Sequence, residues 1–235
     1  QARIFQLDLF GSVLINTNFD EEQKIANLNI KVKERKPGTV KIGVGFGSLD
    51  LARGQVFLTQ RNLFGGGRRL EVTGKASFIT QRLQTSVIQP YIIGKASELF
   101  WNLNFIRDTL PAFSDLMFLT TTGVRKRFGG VFNASGSFNV QLTRLSGVPG
   151  EISDFTVPRG NFFLTFFNSG IERNTTDNIL NPTRGTIATF SLEPSFKALG
   201  SDVNYIKSTL GLSGYKKLFN VVFASRILVG VIEPF

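Results

Sequence analysis

The stretch that looks most like a chemical site is "QRNLFGGGRRLEVTG", residues 60–74. Three consecutive glycines followed by Arg68 and Arg69 are residue types that can cradle a phosphate group. A phosphate loop, however, is followed by a helix whose N-terminal amides meet the anion. Residues 70–78 instead alternate apolar and polar side chains, which is the pattern of a strand. We therefore predict a tight turn, in which glycine supplies backbone angles that other residues avoid.

The composition excludes most catalytic chemistry. The 235 residues include no cysteine and no histidine, so they cannot form thiol nucleophiles, disulfides, Cys/His zinc sites or Ser-His-Asp triads. The carboxylates, lysines and tyrosines show no close pairing suited to acid–base work, and no Walker motif or Rossmann fingerprint occurs. We predict no catalytic, cofactor-binding or metal site, and we do not expect an enzyme.

The net charge of +10 favours an anionic partner, either nucleic acid or a membrane surface. A surface for single-stranded nucleic acid needs aromatic and basic residues interleaved on one accessible face. The faces that carry phenylalanine here are poor in lysine and arginine, so we predict no nucleic-acid partner. The 24 phenylalanines suit strands that face lipid or a deep core.

The periodicity from residue 38 onward is that of strands, because alternate side chains fall on opposite faces. In the first run, Val40, Ile42, Val44 and Phe46 share one face, and Thr39, Lys41, Gly43, Gly45 and Gly47 share the other. Runs of about ten residues are longer than typical soluble strands and match a tilted crossing of a bilayer. An apolar face opposite a face of Asn, Gln, Ser, Thr, Lys and Gly is typical of an outer-membrane barrel. A large soluble β-sandwich also alternates and is the alternative.

Two domains are predicted, residues 1–37 and 38–235. In "NLNIKVKE" lysines lie on the outward face, which fits water and not lipid, and "LDLFGSVLINT" is interpreted as the end of a helix and a strand of the same soluble unit. Pro37-Gly38 marks the boundary. The eleven strands predicted after it are 39–47, 55–63, 69–80, 82–91, 98–108, 115–128, 131–144, 160–173, 184–196, 203–217 and 219–232.

Three ordered motifs carry a family resemblance. "LFGSVLI" followed by "NIKVKERKPGTVKIGVGFGS" resembles the end of a POTRA domain and the first barrel strand of the BamA-like outer-membrane assembly proteins. "QRNLFGGGRRLEVTG" is similar to their second and third strands with the periplasmic turn between them, and "RNTTDNILNPTRGTIATFSLEP" resembles another such turn. The resemblance implies an all-β fold, an antiparallel transmembrane β-barrel preceded by the C-terminal part of a POTRA domain at 1–37. Family barrels have about sixteen strands, and their V/I-R-G-F/Y loop motif does not occur here, so we expect a partial chain.

The resemblance also implies a function in the outer membrane of a Gram-negative bacterium, with the N-terminal part in the periplasm. The family's first and last strands pair weakly, so the barrel opens sideways and its free edge templates nascent outer-membrane proteins as they insert. Expected partners are those nascent proteins, periplasmic accessory lipoproteins or chaperones, and outer-membrane lipid and lipopolysaccharide. The alternatives are a TamA-like or two-partner-secretion translocator and a passive porin-type barrel.

The residues to which the resemblance gives a role fall into four groups. The lateral-gate strand contains Val40, Ile42, Gly43, Val44, Gly45, Phe46 and Gly47, whose glycines either weaken the seam or relieve crowding on the inner wall. The periplasmic turns contain Asn62, Leu63, Phe64, Gly65, Gly67, Asp177, Pro182, Arg184 and Gly185. A basic periplasmic rim, interpreted as a solvated girdle or as a contact for anionic headgroups or lipoproteins, contains Arg68, Arg69, Arg125, Lys126, Arg127, Lys216 and Lys217. Arg226 is predicted to face the lumen, since a lipid-facing arginine at the midplane costs about 2–4 kcal/mol.

Overall fold

A computed structural model of the chain describes residues 9–20, 25–109, 114–146 and 160–235. In these ranges the fold is all-β, apart from a 3-10 helix at Lys197–Leu199. The strands are β1 (Phe10–Asp20), β2 (Ile25–Glu34), β3 (Gly38–Gly47), β4 (Leu51–Arg61), β5 (Arg69–Ser77), β6 (Thr80–Pro90), β7 (Ser97–Thr109), β8 (Ser114–Phe128), β9 (Phe132–Ser146), β10 (Gly160–Asn174), β11 (Arg184–Ser195), β12 (Tyr205–Leu218) and β13 (Val221–Pro234). No helix in the described ranges has the length and apolar character that a membrane crossing requires.

The strands form two antiparallel sheets. Strands β1 and β2 pair with each other in a two-stranded sheet, and β3 to β13 form an eleven-stranded sheet in strict chain order. Each of these eleven strands pairs only with its neighbours in the sequence, which is the up-and-down arrangement of membrane barrels. Directly paired residues point to the same side, so the register assigns a face to every residue of the sheet.

One face of the large sheet is apolar and the other is polar, as in a barrel whose outer surface contacts lipid. We call the face that carries Val40, Ile42, Val44 and Phe46 the outward face and its opposite the lumen face. Following the pairs from β3 to β13 places Trp101, Phe105, Phe118, Phe138, Phe167, Phe190, Leu210 and Ile227 on the outward face, and all of them are exposed. The described residues contain one buried apolar side chain, Val13 of β1, whereas the other buried side chains are polar. This inverted burial indicates that the sheet faces hydrocarbon, not water.

The connections lie at two ends of the sheet. We call the end at which β3 begins the lower rim; it contains the turns 62–68, 91–96, 129–131, 175–183 and 219–220. The opposite end, at which β3 meets β4, is the upper rim. All the periplasmic turns and rim cations predicted from the sequence lie at the lower rim.

All eleven strands predicted after residue 38 are present, with corrected ends. Strand β4 begins at Leu51 and not at 55, because its pairing with β3 continues up to the turn, where Gly47 lies opposite Leu51. Strand β5 ends at Ser77 and not at 80, because the Ser77 hydroxyl oxygen accepts the N–H of Thr80 at 3.0 Å and closes the turn. In the N-terminal part, β1 is a strand from Phe10 onward, and the helix end predicted before it falls on residues 1–8, outside the described ranges.

The turn between β10 and β11 is organised around one carboxylate. Asp177 Oδ1 accepts the backbone N–H groups of Asn178 at 3.0 Å, Thr183 at 2.9 Å and Arg184 at 3.1 Å. The Thr183 hydroxyl donates to Oδ2 of the same residue. Because all these donors favour the charged form, they hold the pKa of the Asp177 carboxyl well below its usual range. The turn also requires Gly185, whose φ is 107° and whose added Cβ would lie 2.8 Å from the backbone of Thr176.

We predict that Asp177→Ala loosens this turn, because three amide groups lose their acceptor. Amide hydrogen exchange of Thr183 and Arg184 should accelerate severalfold. Since the folded pKa is depressed, the carboxylate stabilises the turn above its unfolded pKa of about 3.9. That contribution is lost as the pH falls below that value, so exchange in the parent, corrected for its intrinsic pH dependence, should approach that of the variant in acid. Asn181→Ala is the control, and equal exchange in both variants would contradict the prediction.

A second prediction concerns the middle of the sheet. An added Cβ at Gly123, on the lumen face of β8, would lie 2.6 Å from Phe100 Cζ and Ser137 Cβ. Gly123→Ala should therefore overpack the inner wall and lower the free energy of unfolding by about 1–3 kcal/mol. Gly136→Ala on the neighbouring strand is the matched control, because a Cβ there has no atom within 4 Å. Urea unfolding in detergent measures the free energy of unfolding of both variants. Equal values would show that neighbouring side chains move to accommodate the added methyl group at residue 123.

Candidate functional site

The first strand of the large sheet has one free side. Strand β3 pairs with β4 from Gly38 to Gly47, and no other described strand pairs with it. At the far end of the sheet, β13 pairs with β12 and with no other described strand. An unpaired strand edge presents N–H and C=O groups to which another strand can bond.

The register identifies the residues that carry those free groups. The Arg61 N–H donates to the Pro37 carbonyl at 2.7 Å, so residues 37 and 61 form a hydrogen-bonded pair. Bonded and non-bonded pairs alternate along an antiparallel ladder. The odd residues of β3 therefore bond to β4, and the even residues direct their N–H and C=O groups to the open side. These are Gly38, Val40, Ile42, Val44 and Phe46.

The same even residues carry the apolar side chains of the edge. Val44 is 89% exposed and Ile42 is 78% exposed, on the outward face. The open edge thus combines a row of free backbone groups with side chains suited to hydrocarbon. An incoming strand with apolar side chains on the same face would match both features.

The glycines of β3 lie under side chains of β4. An added Cβ at Gly43 would lie 2.7 Å from Gln55 Nε2, and one at Gly45 would lie 2.9 Å from Arg53 Nε. A Cβ at Gly47 would meet Asp50. This packing favours the interpretation that the glycines relieve crowding on the lumen face. Gln55 and Arg53 were not predicted from the sequence, because only the cross-strand register places them over the glycines.

The glycine-rich turn after β4 is closed by hydrogen bonds from its own backbone N–H groups. Asn62, Phe64 and all three glycines of 65–67 have positive φ. The Gly67 N–H donates to Asn62 Oδ1 at 3.0 Å, and the Leu63 N–H donates to the Arg68 carbonyl at 2.9 Å. These bonds close the hairpin between β4 and β5. The Phe64 side chain projects from the turn into solvent.

The cations of the lower rim divide between the two faces. On the lumen face, Arg69 forms an ion pair with Glu71 at 2.9 Å and Arg125 forms one with Glu98 at 3.0 Å. Arg127 Nε donates to Asn133 Oδ1 at 3.1 Å on the same face. The register also places Lys217 on the lumen face and Lys126 and Lys216 on the outward face, while Arg68, in the turn, bonds to Gln89.

Two further arginines lie on opposite faces of the sheet. Arg226 of β13 lies opposite Ser213, on the lumen face. Arg173 of β10 was missed by the sequence analysis; it lies opposite Phe132 and points outward near the lower rim. Arg173 lies two residues after Ile171, so the period of two predicts that both side chains are on the same face of β10.

Residues 62–235 match the Omp85 superfamily domain. The chain is 24% identical over 232 residues to the outer membrane protein assembly factor BamA of Neorickettsia risticii (strain Illinois), which covers 94% of this chain and 30% of that protein. Its fold is similar to the crystal structure of BamA from Haemophilus ducreyi lacking POTRA domains 1–3, with a TM-score of 0.77 and 18% identity. That alignment covers the whole of this chain and 48% of the crystallised one.

This chain therefore spans less than half the length of the two relatives. At that level of identity, the structural similarity supports the fold alone, whereas the domain match covers most of the sequence. The exposed apolar face and the strand order agree with both. The chain belongs to the Omp85 superfamily and is a BamA-like outer-membrane β-barrel protein of Gram-negative bacteria.

Proposed function

We propose that this chain is part of an assembly factor that inserts and folds nascent β-barrel proteins in the outer membrane. The open edge of β3 templates the incoming strand. The observation that carries the proposal is the row of free backbone groups at Val40, Ile42, Val44 and Phe46. The relative from Neorickettsia risticii bears the name of such an assembly factor.

The physical basis is the cost of unpaired backbone groups in lipid. Each N–H or C=O without a partner costs several kcal/mol in the hydrocarbon core, because no water is present to bond to it. A nascent strand carries the same unpaired groups into the membrane. Pairing with β3 satisfies both sets at once, and the outward apolar side chains of both strands then face lipid together.

The proposed partners follow from this mechanism. Nascent outer-membrane proteins bind at β3, and outer-membrane lipid and lipopolysaccharide surround the outward face. Periplasmic accessory lipoproteins or chaperones would approach the lower rim and the β1–β2 hairpin. We propose that this hairpin, in residues 1–37, is the C-terminal part of a POTRA domain.

A TamA-like or two-partner-secretion translocator is the second candidate function, because the same superfamily domain is compatible with it. A passive porin-type barrel is less favoured, since the proposed POTRA part in residues 1–37 speaks against it. The candidates differ in what passes β3: a strand that remains in the membrane, a chain that crosses it, or neither.

Substitution of the edge by proline tests the proposal. Ile42→Pro removes one N–H from the open side without removing a bond to β4, and proline is tolerated on edge strands in that orientation. In the full-length protein we expect a folded barrel that assembles client barrels at least about tenfold more slowly, since one unpaired group in lipid costs several kcal/mol and about 1.4 kcal/mol is already a factor of ten. The rate is measured with proteoliposomes and a radiolabelled client, and folding by heat-modifiable migration.

Two controls make this test specific. Ile42→Ala keeps the N–H and should slow client assembly much less than Ile42→Pro does. Lys41→Pro removes an N–H that bonds to β4, so it should weaken the β3–β4 pair itself. Parental client assembly by a folded Ile42→Pro protein would show that β3 is not the template, whereas unchanged assembly with impaired secretion of a soluble passenger would favour the translocator.

A further inference from the structure

The outward face carries a row of cations at the lower rim that have no counter-charge among the described residues. Within the described ranges, Lys126 of β8, Arg173 of β10, Arg184 of β11 and Lys216 of β12 all point outward and are exposed. None of the four side chains forms an ion pair or hydrogen bond with another described residue. On the lumen face of β8, by contrast, Arg125 is paired with Glu98.

Two of these cations are held against each other. Arg184 and Lys216 lie directly opposite on β11 and β12. Side chains at such positions have Cβ atoms about 4.5–5.5 Å apart, and like charges there are destabilising. The neighbouring carboxylate of Asp177 is occupied by the backbone amides and hydroxyl of its own turn. An anion between the two cations would relieve their repulsion.

The row follows a diagonal across the sheet. A line of directly paired residues starts at Lys126 and meets β10 at Ile171 and β12 at Leu210. Arg173 is two residues beyond Ile171, and Lys216 is six residues beyond Leu210, in both cases towards the lower rim. Strands of a barrel tilt by about 35–45°, so a diagonal of this kind corresponds to one depth in the membrane.

Aromatic rings accompany the cations at that depth. Phe128 and Phe132 stack on the outward face with ring centroids 5.4 Å apart and an interplanar angle of 7°. Phe223 lies directly opposite Lys216. Aromatic side chains beside lysine and arginine are the composition of the membrane–water interface.

The distance to the upper rim matches one hydrocarbon layer. Arg144, near the upper end of β9, also points outward, and it lies ten residues from Ala134, the partner of Lys126. Ten residues extend about 34 Å along a strand, or about 25 Å along the membrane normal at the usual tilt, which is the height of the apolar band of such barrels. The outward residues of β8, β9 and β10 between these cations are uncharged. The row therefore lies at the headgroup level below the band.

We propose that Lys126, Arg173, Arg184 and Lys216 form a binding surface for the phosphate groups of anionic phospholipids in the leaflet at the lower rim. The exposed positions at the edge of the apolar band favour a lipid headgroup over a soluble anion, because the acyl chains lie on the outward face at the same time. This surface is on the wall of the barrel away from β3, and it does not rest on strand templating.

The proposal is tested with the full-length protein in bilayers that contain spin-labelled phosphatidylglycerol or phosphatidylcholine. The relative association of the two lipids with the protein is read from the immobilised component of the electron spin resonance spectrum. We expect phosphatidylglycerol to be preferred about threefold or more at low salt, and less at high salt. No preference in the parent protein would overturn the proposal.

Matched triple variants locate the surface. The outward triple Lys126→Gln, Arg173→Gln and Lys216→Gln should lose the preference. The lumen triple Arg125→Gln, Arg127→Gln and Lys217→Gln removes the same charge near the same rim and should keep it. Equal loss in both would show that only the net charge matters and would overturn the assignment.

Two further arms keep the test decisive. The conservative triple Lys126→Arg, Arg173→Lys and Lys216→Arg should retain the preference, which separates the charge from a folding defect. Excess inorganic phosphate at matched ionic strength should leave the lipid preference unchanged. If phosphate abolishes it, the surface binds a free anion and the lipid assignment is wrong.

Discussion

The structure depends on the requirement that every backbone N–H and C=O in the hydrocarbon layer has a partner. A meander of antiparallel strands meets this requirement for each inner strand of the sheet. It leaves unsatisfied groups at the two ends of the described sheet, β3 and β13. The polar lumen face and the exposed outward face follow from the same ladder, because fixed registers assign each side chain to one medium.

The charges of the lower rim follow the same division between media. Facing the lumen, Arg69 and Arg125 are paired with glutamates within 3.0 Å. Facing outward, Lys126 and Arg173 have no such partner among the described residues. Lipid headgroups can neutralise a cation at the interface, whereas inside the barrel Arg125 is neutralised by a glutamate of the neighbouring strand and Arg69 by one of its own strand. Adjacent residues of one strand, such as Arg125 and Lys126, therefore meet different partners.

Much of this fold was accessible from the sequence, because a period of two is visible wherever one face is apolar. Predicted strand ends were wrong where that alternation fails, as at Arg53 and Gly54 at the start of β4, and where it continues past the last strand residue, as after Ser77 of β5. The role of Asp177 as the acceptor for its turn was not visible, since its donors at Thr183 and Arg184 meet it only after the turn has folded. The pairing of Arg53 with Gly45 likewise depends on register, which no single strand contains.

The two edge strands of the described sheet differ in the polarity contrast between their faces. On β3 the outward face is apolar, and the lumen face consists of glycines, Lys41 and Thr39. On β13 the lumen face is itself mostly apolar, with Leu228 and Ile232 exposed beside Arg226. A register slip of one residue exchanges the two faces of a strand, so it is penalised at β3 and much less at β13. The proposed alignment of an incoming strand with one face to lipid would require the contrast that β3 provides. Since the free groups belong to the backbone, the proposed templating would need no reactive side chain, and a search for catalytic motifs would not detect it.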